Sequence, residues 1–239
     1  MDRILIALDV STAAEALAMA DRLRGVVGGY KIGSQLFTAA GPSVVRALVD
    51  RGDRVFLDLK FHDIPNTVAG AVVSSVDLGV WMVNVHASGG RAMLEAARRA
   101  ADSALTSSGK PRPIVIAVTV LTSLDGSALN SVGVAATPMD QVVRLARLSQ
   151  EAGLDGVVAS PQETSAIRAA CGPEFVIVTP GIRGGAAASG PDDQQRTATP
   201  AGAIEAGSSY LVIGRPITGA GDPRAAAQRI AAEIATSPQ

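Results

Sequence analysis

The sequence predicts a closed (β/α)8 TIM barrel, one domain over residues 1–239, on three grounds. Eight short apolar runs rich in β-branched residues recur along the chain. Most are apolar without alternation, as strands covered on both faces are. Each run is followed by an Ala-rich stretch with helical spacing, the alternation that parallel neighbouring strands require. A length of 239 residues is what such a barrel commonly uses for a single domain. An open doubly wound sheet shares the alternation, but closure leaves no exposed edge strand and is the first expectation.

The strands are expected at ILIALD (4–9), VGGYKIG (27–33), RVFLDLK (54–60), WMVNVHA (81–87), IVIAVTV (114–120), GVVAS (156–160), FVIVTP (175–180) and YLVIG (210–214). Ser11 or Thr12 precedes AAEALAMADRL and offers a hydroxyl to the unpaired amides of a first helical turn. Pro42, Pro65 and Pro161 open SVVRALVD, NTVAGAVVSSVDLG and QETSAIRAA, at positions where a missing N–H costs nothing. Further helices are expected at 90–105, 138–152, 200–206 and 223–235. Two segments break the rhythm: SLDGSALNSVGVAAT (123–137) after the fifth strand and GIRGGAAASGPDDQQRTAT (181–199) after the seventh. Both belong at the carboxyl ends of the strands, where long loops usually carry function.

With 47% hydrophobic and 18% charged residues and a mean hydropathy of +0.28, the chain has ample material for a large core. Its 21 basic and 22 acidic residues nearly cancel and form no long cationic cluster, which argues against a nucleic-acid or membrane-surface partner. Aromatic residues, at 3%, leave few platforms for stacking bases. The lone Cys171 excludes an intramolecular disulfide, and with His62 and His86 as the sole imidazoles no zinc constellation is recognisable. The N-terminus reaches Asp9 after a short apolar run, without a signal-peptide cleavage pattern, so a cytoplasmic location with no membrane segment is expected.

In a barrel the ligand site lies at the carboxyl ends of the strands. Charged or polar groups end several of them here: Asp9, Lys31, Asp58 with Lys60, and His86. On an extended strand Asp58 and Lys60 leave the same face while Leu59 takes the other. That face can be the barrel interior, where charges must be paired to be tolerated. A stabilising ion pair at the rim would use the same residues; several charges converging on one end favour a site. A lysine that forms a Schiff base needs desolvation or a neighbouring cation, whereas a lysine among carboxylates keeps its proton. Lys60 therefore reads as a proton donor. With a second ammonium at Lys31, the group suits a reaction that develops a carbanion and ends by protonating it.

After the eighth strand, VIGRPIT (212–218) carries Arg215 where barrels often bind a substrate phosphate. Arg183 and Gln194 on the preceding loop supply donors able to close over it. His62 and His86 have no serine or cysteine nucleophile arranged around them and read as hydrogen-bonding neighbours. The glycine-rich GIRGG matches no dinucleotide or P-loop spacing, so no nucleotide cofactor is implied.

These residues resemble a known family. DLKFHDIPNTV (58–68) is similar to the Asp-x-Lys-x-x-Asp-Ile-Pro-x-Thr signature of the orotidine 5'-phosphate decarboxylase family. LDV at Asp9, YKIG at Lys31, VTVLTS (118–123), TPGIR ending at Arg183, DQQR beginning at Asp193 and VIGRPI at Arg215 extend the likeness over nearly the whole chain. The LTS and TPGIR elements resemble its bacterial branch. The resemblance implies a homodimeric barrel that converts orotidine 5'-phosphate to UMP and CO2 in pyrimidine biosynthesis, with no metal and no cofactor. Lys60 would protonate C6, Asp58 would stand beside the substrate carboxylate, and Lys31 and Asp9 would contact the ribose hydroxyls. Asp63 and Thr67 would reach across the dimer into the partner's site. Thr122 and Ser123 would contact the pyrimidine. Arg183, Gln194 (or its neighbour Gln195), Gly214 and Arg215 would hold the phosphate.

Two other functions compete. A magnesium-dependent sugar-phosphate decarboxylase of the same superfamily shares Asp-x-Lys-x-x-Asp, but such relatives carry a glutamate metal ligand near strand two, where this chain has Lys31. A catalytically dead barrel that only binds a nucleotide should have lost the central lysine or an aspartate, and Asp58, Lys60 and Asp63 are all present.

Overall fold

Eight parallel strands follow one another around the molecule in chain order and close, the first against the eighth. The computed structural model describes residues 1–108, 110–183 and 198–236. The strands are β1 (Ile4–Ala7), β2 (Gly29–Gly33), β3 (Val55–Phe61), β4 (Met82–His86), β5 (Ile114–Val118), β6 (Gly156–Val158), β7 (Val176–Thr179) and β8 (Tyr210–Ile213). Leu5 aligns with Gly29 on β2 and with Val212 on β8, so closure is made by β1 itself and the open doubly wound sheet is set aside.

The helices cover the outside. They are α1 (Ala13–Leu23), α2 (Ser34–Ala40), α3 (Pro42–Val49), α4 (Pro65–Leu78), α5 (Arg91–Ser108), α6 (Gly126–Ser131), α7 (Pro138–Glu151), α8 (Thr164–Cys171), α9 (Pro200–Glu205), α10 (Arg215–Thr218) and α11 (Pro223–Ala235). Thr12 is the cap of α1: its hydroxyl accepts from Glu15 N, and the Glu15 carboxylate returns the contact in a capping box. Helix α8 starts three residues later than Pro161 suggested. Helices α2, α6 and α10 were not expected. Each is four to seven residues long, too short to display an apolar period. Asp125 caps α6 by accepting from Ala128 N, which gives part of the supposed loop 123–137 a helical turn.

Apolar side chains fall into two layers. The larger packs the helices onto the outside of the sheet. The smaller fills the barrel: Leu5, Ala7, Phe56, Met82, Ile116, Val178 and Val212. Because side chains alternate along a strand, the inward parity of Ala7, Phe56 and Met82 continues to Asp9, Asp58, Asn84 and His86 at the carboxyl ends. The apolar plug therefore gives way to polar groups at one mouth of the barrel, the end where barrel sites are built. No helix among the described residues is long and apolar enough to cross a membrane.

Strand β3 departs from the regular geometry expected of it. Leu57 aligns with Val83 and the next aligned pair is Phe61 with Val85, so β3 carries extra residues against β4. Lys60 sits in this bulge with φ 55, the sole left-handed residue other than glycine among those described. The two charged side chains do converge. They do so through a kinked strand, because a bulge re-aims a side chain that a regular pleat would fix.

Candidate active site

Four charges alternate in sign across three adjacent strands. Lys31 Nζ lies 3.1 Å from Asp9 Oδ1 and 3.4 Å from Asp58 Oδ2, and Lys60 Nζ donates to Asp58 Oδ1 at 2.7 Å. Asp9 stands just past β1, Lys31 on β2, and Asp58 and Lys60 on β3. The side chains of Lys31 and Asp58 are each only 11% exposed, that of Lys60 is 35% and that of Asp9 is 57%. The row is thus buried at its centre, Lys31 and Asp58, and open to solvent at both ends. Taking ions out of water costs several kcal/mol each, and the buried Lys31–Asp58 contact at 3.4 Å returns about 5 kcal/mol at an effective dielectric near 20. Alternation of sign is what allows the row to exist.

Asn84, on β4 and fully buried, completes the cluster. It donates from Nδ2 to Asp58 Oδ1 at 2.7 Å and accepts at Oδ1 from the Lys60 backbone N–H at 2.8 Å. Sequence reasoning missed it. The available signal was one amide, at inward parity, inside the otherwise apolar WMVNV that opens WMVNVHA.

His62 and His86 face one another, ring centroids 5.5 Å apart and planes tilted by 34°. Burial, then the charges of His62 and Lys60, push His86 below its ordinary value. Held toward its neutral form, the His86 imidazole is poorly suited to supply protons.

The remaining expected site residues divide by location. Asp63 accepts the Ile64 amide at 2.6 Å, is exposed, and among the described residues joins no ion pair. Thr67 is exposed in the first turn of α4. The structure therefore does not bring Asp63 and Thr67 to this chain's own charge row. Thr122 and Ser123 lie in the turn after β5, closed by the Leu124 amide donating to Leu121 O at 2.9 Å. Gly214 caps α10, and Arg215 is that helix's first residue. A Cβ on Gly214 would stand 3.5 Å from that of Ala7, in the barrel's interior layer. Arg183 donates its backbone N–H to Ala198 O at 2.9 Å, and Ile182 bridges to Ala198, tying together the two ends of the long segment after β7. Gln194 and Gln195 lie outside the described residues. Among the described residues no three His, Cys, Asp or Glu side chains are grouped to hold a metal ion.

The chain is similar to known proteins over nearly its full length. The model of the orotidine 5'-phosphate decarboxylase / HUMPS family matches residues 2–230. The orotidine 5'-phosphate decarboxylase of Moorella thermoacetica is 58% identical over 98% of this chain and 92% of its own length. That of Halorhodospira halophila is 54% identical over 98% and 97%. Among solved structures, orotidine 5'-phosphate decarboxylase from Lactobacillus acidophilus superposes with a TM-score of 0.85 at 37% identity, covering 97% of this chain and 98% of that one. A family match over nearly the full length, on a barrel with these charges at its mouth, means that the chain belongs to the orotidine 5'-phosphate decarboxylase / HUMPS family.

Proposed function

We propose that this chain is a carboxy-lyase that converts orotidine 5'-phosphate to UMP and CO2, the step that completes UMP in pyrimidine biosynthesis. The observation that carries the reading is the row Asp9, Lys31, Asp58, Lys60, with the Lys60 ammonium held 2.7 Å from Asp58 at the barrel mouth. In the reaction the bond between C6 and the carboxylate breaks, CO2 leaves, and the electron pair remaining on C6 takes a proton from Lys60. A fixed ammonium stabilises that pair more than it stabilises the intact substrate, which is the condition for catalysis. Because Asp58 already holds the ammonium in place, little reorganisation is needed when charge develops.

The substrate contacts in this reading are those that the family resemblance implies. Asp9 and Lys31 take the ribose hydroxyls, Thr122 and Ser123 the pyrimidine, and Arg183, Gln194, Gly214 and Arg215 the phosphate. Asp63 and Thr67, exposed on the opening of α4, serve the second copy's site in a homodimer. A magnesium-dependent sugar-phosphate decarboxylase is disfavoured by Lys31, whose ammonium lies between the Asp9 and Asp58 carboxylates and would repel a divalent cation there.

Purified, metal-stripped protein should deplete orotidine 5'-phosphate absorbance and release UMP, and Lys60→Ala should abolish turnover. Activity that requires added metal, or UMP binding without CO2 release, would overturn the reading. For the shared sites, inactive Lys60→Ala and Asp63→Ala chains should partly restore activity when mixed. No recovery despite confirmed exchange of subunits would remove the dimer proposal.

A further inference from the structure

Lys60 holds a left-handed backbone, φ 55, that a side chain with a Cβ does not adopt without support. Asn84 stands on β4 between Val83 and Val85, opposite the bulge, where the Leu57 and Phe61 registers part. The Lys60 N–H, deprived of a ladder partner by the bulge, donates instead to Asn84 Oδ1 at 2.8 Å. Asn84 Nδ2 donates at 2.7 Å to Asp58 Oδ1, the same oxygen that receives Lys60 Nζ at 2.7 Å. One buried amide thus ties Lys60 at both ends: its backbone directly, its ammonium through Asp58. The amide orientation follows from chemistry, since a backbone N–H can only donate and an ionised carboxylate can only accept.

We propose that Asn84 is a positioning residue for the decarboxylation, fixing the β3 bulge and orienting Asp58 so that the Lys60 ammonium is aimed at the mouth before substrate binds. This rests on the proton-donor role of Lys60 given above. A carboxylate at position 84 keeps the acceptor but has no donor for Asp58, and an alanine supplies neither. Because both hydrogen bonds end on β3 residues, loss of Asn84 should act on the chemical step rather than on the phosphate end of the substrate.

The test compares wild type, Asn84→Ala and Asn84→Asp by kcat, KM, UMP affinity and crystal structure. In Asn84→Ala, kcat should fall about 100-fold, the scale set by a misplaced catalytic group, with UMP affinity within about threefold of wild type. Its Lys60 backbone should leave the left-handed region. Asn84→Asp should keep the bulge yet lose kcat similarly, since two carboxylates then compete for the ammonium. A folded Asn84→Ala with kcat within about threefold of wild type, or with Lys60 still left-handed, overturns the proposal. Where the alanine variant does not fold, the aspartate variant decides by itself, and a wild-type kcat there overturns it. An inactive wild type would defeat the proposed reaction instead, and the backbone of Lys60 in the variant crystals would still decide whether Asn84 holds the bulge.

Discussion

Lys31 Nζ lies 3.4 Å from Asp58 Oδ2, linking β2 to β3 through side chains just where Gly33 and Asp58 share the register. Both groups are mostly buried, so each is the other's compensation for lost hydration. Lys31→Met keeps the apolar stem and removes the charge. It should lower stability by about 2 kcal/mol, the penalty for a buried charge that keeps only part of its pairing. In an Asp58→Asn background the same change should be milder, with a coupling of about 1 kcal/mol in a double-mutant cycle of urea unfolding. Strict additivity would show that the two charges do not depend on one another.

The close approach behind that pair makes Gly33 a sensor of it. A Cβ on Gly33 would lie 3.0 Å from Lys31 Nζ and 3.7 Å from Asp9 Oδ1. Its backbone, at φ −94, accepts any residue. Gly33→Ala should therefore fold normally and push the ammonium by a few tenths of an ångström. On the scale where about 1 Å costs 100-fold, the expected loss in kcat/KM is about 3- to 10-fold. Steady-state kinetics beside a melting curve would check it, and unchanged kinetics would mean the ammonium has room to yield.

The barrel was legible because its determinants are periodic and local. Runs such as IVIAV and YLVI are apolar on both faces, and Thr12, Pro42 and Pro65 mark helix starts by chemistry that needs no tertiary context. The charges Asp9, Lys31 and Asp58 were legible as strand ends, since parity along a strand is a sequence property; Lys60 joins them through the bulge rather than by parity. The bulge at Lys60 was not legible. Nothing in DLKF marks it, because it depends on Asn84 reaching across from β4. Helix α10 was hidden because its four residues are too few to show helical periodicity and are fixed by the burial of Ile217.

His86 should make stability depend on pH. Burial, then the electrostatic influence of the neighbouring His62 and Lys60, lowers it from the ordinary 6.5, against a smaller opposing pull from Asp58. The unfolded chain then takes up a proton at a pH where the folded chain does not. Stability is full above the unfolded value and is lost as pH falls below about 6.5, levelling off under the folded value. His86→Asn should remove this part of the acid limb. Urea midpoints between about pH 7 and pH 5 should fall more steeply for wild type than for the variant. Equal slopes would show that His86 is protonated alike in both states.

Asp155 organises the opposite end of the barrel, ahead of β6. Its carboxylate receives Arg112 bidentately at 2.7 and 2.8 Å, the Val115 amide at 2.7 Å and Arg98 at 3.2 Å. The hydrogen bond to Asp155 raises Arg112 above its ordinary value, opposing the effect of burial. Asp155→Ala would remove the bidentate partner of the partly buried Arg112 guanidinium, leaving it Asp102 at 3.5 Å and the Pro113 carbonyl, and would deprive the Val115 amide at the start of β5 of its carboxylate. The expected loss is about 3 kcal/mol, or about 9 °C in melting temperature for a chain of this size. Because this network faces away from the Asp58–Lys60 mouth, kcat measured well below the melting point should stay within about twofold of wild type, as residues at the amino end of barrel strands serve stability rather than chemistry. A matching fall in kcat would mean that strain at β5 and β6 is transmitted along the strands to the site, and the two ends would have to be treated as one mechanical unit.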